Sequence, residues 1–219
     1  MPTVERIKTM RHGLAIRIAH WAIVFEGAFL LLSGFQLNGI FYFGLPEINY
    51  SLHVMVGFIF MATAFFFLYL VIEGRDYKWF AFRRIPYSIR YIFTEGAYWF
   101  RIRPEIHEPI QFDAKTGEYK EKLIPSVIIV WWIYGIMGLL LAITGLADAF
   151  PATFAVVYSV TDPLGMALFG VGGLPFILAV HRLLAVALVA TVCLHLYASV
   201  IYHMIPSIVT GYRDEPVAG

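Results

Sequence analysis

The sequence predicts an all-α integral membrane protein, a bundle of four transmembrane helices. Of its 219 residues, 60% are hydrophobic and only 14% charged, whereas a soluble domain of this size carries about 25% charged residues. Four apolar runs reach the roughly 20 residues needed to cross a hydrocarbon core. The basic residues fall on alternate connections between those runs. Residues 1–219 read as a single membrane domain.

The first span covers residues 14–37, the second 51–72, the third 124–146 and the fourth 175–205. The fourth is long enough to tilt or to project beyond the bilayer. Pro125 and Pro175 suit helix starts, where the missing N–H costs little, and Pro206 suits the end of the fourth span. The N-terminal stretch carries Arg6, Lys8, Arg11 and Arg17, the last at the start of the first span, and the 75–122 loop carries ten more basic residues. With Arg213 in the tail, 15 of the 16 Lys and Arg residues lie on one side, which the positive-inside rule assigns to the cytoplasm. The expectation is a multi-pass protein of the cytoplasmic (inner) membrane with both termini inside. The first apolar run is too long for a signal-peptide core, which argues against cleaved targeting.

The connections carry their own signals. Residues 86–100 mix aromatics with Arg90 and Glu95 and predict an interfacial helix in the cytoplasmic loop. Residues 104–121 are polar and broken by Pro104, Pro109 and Gly117, an ordered or docking loop. Residues 147–174 are apolar but interrupted by Pro151, Asp162, Pro163 and Gly165, consistent with a short helix on the outer surface or a partner contact. No internal repeat is evident. The single cysteine, Cys193, excludes an intrachain disulfide and a cysteine-ligated iron–sulfur cluster within the chain.

Four histidines, His20, His53, His181 and His195, fall inside apolar runs, and ionisable groups within membrane spans are functional candidates by default. His181 and His195 share the fourth span fourteen residues apart, about 21 Å along a helix and within about 40° of one face. The topology places His20 and His195 in the inner half and His53 and His181 in the outer half, giving two depth-matched pairs. An iron porphyrin with two axial imidazoles has no open position and suits electron transfer. Zinc is less apt, since two imidazoles leave a tetrahedral site incomplete. Gly27 and Gly57 lie near the faces of His20 and His53 and would give a macrocycle room, although glycine also serves plain helix packing. The competing reading, interhelical hydrogen bonding, accounts for one membrane histidine more readily than for four in matched pairs.

At these residues the chain resembles the cytochrome b (gamma) subunit of respiratory formate dehydrogenases and, slightly less closely, the b-type cytochrome subunit of membrane nickel–iron hydrogenases. The resemblance is carried by RIAHW at 17–21, LSG at 32–34, LHVMVG at 52–57 and residues 180–198, ending HLYA. It implies two b haems in a four-helix anchor, with His53 and His181 on the outer haem and His20 and His195 on the inner one. It also implies an iron–sulfur subunit and a catalytic subunit as partners, with electrons passing to a menaquinone-like quinone pool near the inner face. The chain departs from formate dehydrogenase gamma subunits before the third span, where GEYKEKL (117–123) lacks their Asn/Gln-containing quinone motif.

Arg182 is the one basic residue deep in a span. Pairing with a propionate of the outer haem is favoured over solvation at the interface, because Arg binds carboxylates bidentately and an uncompensated membrane charge is costly. Arg17 is a candidate for the same role at the inner haem, or for a lipid phosphate. Glu26 is either part of a proton path or a helix–helix bond. His203 is read mainly as an interfacial histidine, His12 and His107 as surface residues, and most of the five tryptophans as membrane belts. There is no phosphate-cradling glycine motif, no paired catalytic carboxylate and no nucleophile triad, and nucleic-acid binding is not indicated.

The expected function is therefore an electron-transfer subunit of a multi-subunit oxidoreductase, in contact with lipid and open to higher-order assembly. Three alternatives stay open: the anchor of a sulfur-compound reductase run in the reverse direction, a haem-free proton-coupled transporter, and a purely structural anchor.

Overall fold

The computed structural model describes residues 5–104 and 108–217; His107 lies outside them. Four long apolar helices form where the sequence places its spans: α1 (Leu14–Leu37), α2 (Asn49–Glu73), α4 (Pro125–Ala149) and α6 (Gly173–Ile201), each able to cross a membrane. Between them lie α3 (Ile85–Trp99), preceded by two short 3-10 turns, and α5 (Ala155–Phe169). Few apolar side chains on the long helices are buried, and many, such as Phe25, Phe65 and Leu183, are exposed. Such surface requires a hydrocarbon solvent. Both connections expected to carry a helix do so, as α3 and α5.

Three features differ from the sequence expectations. The fourth span stops at Ile201, and His203 takes a left-handed conformation at φ 51°. Pro206 then opens a separate short helix, α7 (Ile205–Thr210), rather than closing the span. A proline without an N–H is equally at home after one helix and in the first turn of the next. The polar 104–121 segment contains a hairpin, β2 (Gln111–Asp113) and β3 (Glu118–Glu121), turned at Gly117 with φ 71°. The N-terminal arm is not a free extension. Its strand β1 (Arg6–Met10) pairs antiparallel with β4 (Tyr212–Pro216), Lys8 opposite Asp214.

The chain divides into two compact units. One is drawn from Met1–His20, Phe67–Ile133 and Cys193–Gly219. Its core is Ile110, Ile124 and Tyr202, flanked by Tyr91, Val127 and Ile201. Beside it a buried ionic cluster ties the termini together: Glu215, fully buried, accepts from Arg11 at 2.6 Å and from Arg213 at 2.5 Å. Tyr119 donates to the same carboxylate at 3.1 Å, and Arg213 also pairs with Glu108. Three donors on one carboxylate supply what a buried charge needs to be tolerated. Phe80 stacks on Trp131 and Phe82 on Trp132, fixing the 3-10 turns against α4.

The second unit is drawn from Trp21–Phe66 and Tyr134–Val192. The α1–α2 connection is braced by Gln36, whose amide donates to Leu45 O and whose carbonyl accepts from Phe43 and Leu45 N–H. Asn49, at the start of α2, donates to Ser33 O at 3.0 Å. These bonds fix how α2 leaves α1 and hence where His53 sits. In the α5–α6 connection, Asp162 of α5 accepts from the Gly173 N–H that begins α6. Such an acceptor satisfies a donor left over at a helix N-terminus.

Candidate functional site

Within the second unit, His53 of α2 and His181 of α6 face one another with ring centroids 6.4 Å apart and planes at 67°. Each ring is held from behind by a hydroxyl. Ser33 Oγ of α1 lies 2.8 Å from His53 Nδ1, and Thr144 Oγ1 of α4 lies 2.8 Å from His181 Nδ1. Neither hydroxyl is free to choose its role. Ser33 donates to Phe29 O at 2.7 Å, and Thr144 donates to Leu140 O at 2.7 Å, each to the carbonyl four residues back in its own helix. With its single proton used, each oxygen can only accept. Nδ1 of both imidazoles therefore carries the proton, and Nε2 of each keeps its lone pair.

The residue after each hydroxyl is a glycine, and both glycines lie under the rings. A Cβ at Gly34 would stand 3.5 Å from His53 Cε1, and one at Gly145 would stand 3.3 Å from His181 Cε1. These glycines, not Gly27 and Gly57, make the close approaches to the histidines. Gly27 belongs to the second unit, where a Cβ would meet Phe60 at 3.7 Å. A Cβ at Gly57 would meet nothing within 4 Å, so that stretch of α2 presents an open face. Ser33, Gly34, Thr144 and Gly145 were missed as site residues. The signal available was a hydroxyl–glycine dipeptide repeated on two spans.

His20 and His195 fall in the first unit, with His195 within electrostatic reach of His20. One turn before His20, the Arg17 guanidinium packs over Gly211, where a Cβ would stand 2.8 Å from Nη1. The buried Arg17 Nε has no hydrogen-bond partner among the described residues. Arg182 is exposed. Glu26, in the second unit, accepts from Thr63 at 2.9 Å. His12 is half-buried rather than superficial; burial, then Arg11 and Lys122, then His20 hold its pKa down at about 3.

The donor set fits haem. A metal–imidazole bond of about 2 Å on each side, with the nitrogen about 1.1 Å from its ring centre, separates two axial rings by about 6.2 Å; His53 and His181 stand at 6.4 Å. Their lone pairs are on Nε2, their Nδ1–H groups are satisfied, and a buried guanidinium N–H beside His20 awaits an anionic acceptor. A metal-ligating histidine characteristically donates its other ring N–H to such a partner.

Long apolar helices that bring two histidines face to face define a multi-pass membrane protein. The chain belongs to the prokaryotic cytochrome b561 family, whose model matches residues 11–211. Among curated proteins, none matches the chain. The matched region takes in all four spans and all four intramembrane histidines and leaves out the paired strands β1 and β4. Family membership makes the protein a membrane-anchored b-type cytochrome of electron transfer, with haem b as its prosthetic group. It bears out the resemblance to the b-type cytochrome subunits of hydrogenase-type complexes.

Proposed function

We propose that the chain is a dihaem cytochrome b anchor. It carries electrons through the cytoplasmic membrane between an iron–sulfur and catalytic subunit on the outer side, of hydrogenase or formate dehydrogenase type, and a menaquinone-like carrier near the inner face. The observation that carries this reading is the His53–His181 pair, with both Nδ1 atoms already engaged and both Nε2 atoms available. The His20–His195 pair, on the inner side by the distribution of basic residues, supplies the second set of ligands.

Each haem, when bound, supplies a one-electron iron couple with no open coordination position. The remaining tasks fall to the chain. His53, His181, His20 and His195 hold the irons as neutral imidazoles and place no buried charge of their own in the membrane. Ser33, Thr144 and the glycines beside them fix the orientation of the His53 and His181 rings. Arg17, with its unsatisfied Nε, binds a propionate at the inner haem, and Arg182 does so at the outer one. The apolar helix walls exclude water, which lowers the cost of moving an electron by limiting solvent reorganisation.

The test is a reduced-minus-oxidised absorbance spectrum of the purified chain, with haem counted per protein. Two b haems are expected, falling to one in His53→Ala and in His195→Ala. A colourless protein, or full haem content in both variants, would overturn the reading. Copurification of an iron–sulfur protein tests the partner, and reduction of the haems by a menaquinol analogue tests the carrier. Partners confined to sulfur-compound reduction would reverse the proposed direction of flow.

A further inference from the structure

We infer that Ser33 and Thr144 are positioning residues that fix which nitrogen of His53 and His181 meets iron, and that they lower the reduction potential of the haem those histidines hold. The inference rests on the dihaem reading and deepens it. Each hydroxyl donates to a carbonyl of its own helix and so accepts from Nδ1–H across the helix pair, at 2.8 Å in both cases. The arrangement occurs twice: Ser33–Gly34 of α1 against His53 of α2, and Thr144–Gly145 of α4 against His181 of α6.

The two features of each dipeptide work together. Glycine removes the Cβ that would crowd the ring, so the ring settles close enough to the helix for the neighbouring hydroxyl to reach Nδ1. The hydroxyl then excludes the other tautomer, since Nδ1 without its hydrogen would present a lone pair to an oxygen already out of protons. An acceptor on Nδ1–H makes the imidazole a more basic ligand. A more basic ligand favours ferric over ferrous iron, so the haem becomes harder to reduce.

The experiment is a redox titration of the purified chain carrying Ser33→Ala, Thr144→Val or both, followed at the haem absorbance bands, with haem per protein measured alongside. The midpoint potential of one haem is expected to rise in each single variant and most in the double variant, while the other haem stays put as an internal control. Haem retention at that site is expected to weaken about tenfold. Ser33→Thr and Thr144→Ser, which keep a hydroxyl, are expected to restore both properties. Unchanged potentials in Ser33→Ala and in the double variant would overturn the inference, as would a haem loss that the hydroxyl-keeping variants fail to rescue. His53→Ala separates the two levels: if it loses a haem while Ser33→Ala changes nothing, the inference falls and the dihaem reading stands. If it keeps both haems, the dihaem reading itself falls.

Discussion

Gly145 lies directly against His181: a Cβ at position 145 would stand 3.3 Å from the imidazole Cε1. The corresponding distance from Gly34 to His53 is 3.5 Å, an ordinary van der Waals separation. A few tenths of an ångström thus separate two otherwise matching sites, and they respond differently to the same substitution.

Gly145→Ala is expected to push the His181 ring off Thr144 and lower haem content at that site, because interiors are packed too tightly to absorb an added methyl without displacement. Gly34→Ala is expected to keep haem content near that of the unmodified chain. A pyridine haemochrome count per protein on the two variants checks the order. Equal loss in both, or loss only in Gly34→Ala, would contradict the geometry.

The spans were legible because crossing a hydrocarbon core demands only length and apolarity, both of which are local. The facing of His53 and His181 was legible because the alternation of charge puts the two at one expected depth before any contact is known. Ser33 and Thr144 were not, since a hydroxyl within a span commonly bonds its own helix and the glycine that follows each also serves plain helix packing. Gly27 and Gly57 each share a helix with the histidine they lie near in sequence. The glycines that approach the rings, Gly34 and Gly145, sit on the neighbouring helices instead. The β1–β4 pair was hidden for a similar reason. RIKTM and YRDEP are short and polar, lack a core-facing alternation, and find each other only across almost the whole chain.

That terminal pair predicts a stability effect. Glu215 is fully buried and held by Arg11 and Arg213, whose side chains are only 3% and 4% exposed. Removing one member of such a buried set leaves a charge without its partner and costs about 3–5 kcal/mol. Glu215→Ala is expected to lower the thermal midpoint in detergent and expose the N-terminal arm to protease. Arg6→Ala, whose side chain is 46% exposed in its bond to Glu108, is expected to change either one little. Comparable effects of the two substitutions would mean that the cluster does not hold the termini.

His12 predicts a pH dependence. Its pKa falls from 6.5 to about 3 in the folded chain, with burial the largest cause and the positive charges of Arg11 and Lys122 next. A folded pKa below the unfolded one stabilises the protein above the unfolded value, and the stabilisation is lost as pH falls toward the folded value. His12 is therefore expected to make the protein less stable as pH drops from 6.5 toward 3. His12→Gln, which cannot charge, removes this contribution. The measurement is the difference in thermal midpoint between the unmodified chain and His12→Gln across that range, which cancels the titration of other groups. The gap should move in favour of the variant as the solution is acidified, and a constant gap would show that His12 titrates normally.

Orientation is the last expectation, and it follows from charge alone. The connections 38–50 and 147–174 carry no Lys or Arg, while the arm, the 75–122 loop and the tail together hold fifteen of the sixteen. Short basic segments resist translocation, so each basic connection stays in the cytoplasm and each neutral one crosses. Green fluorescent protein fused after Pro216 is expected to fluoresce, since it matures in the cytoplasm. Alkaline phosphatase fused after Thr153, in the second neutral connection, is expected to be active, since it needs the oxidising side to form its disulfides. The histidine depths depend on the same orientation: the inverted reporter pattern would keep both pairs intact but exchange their leaflets, moving the His20–His195 pair to the outer face and the proposed quinone end with it.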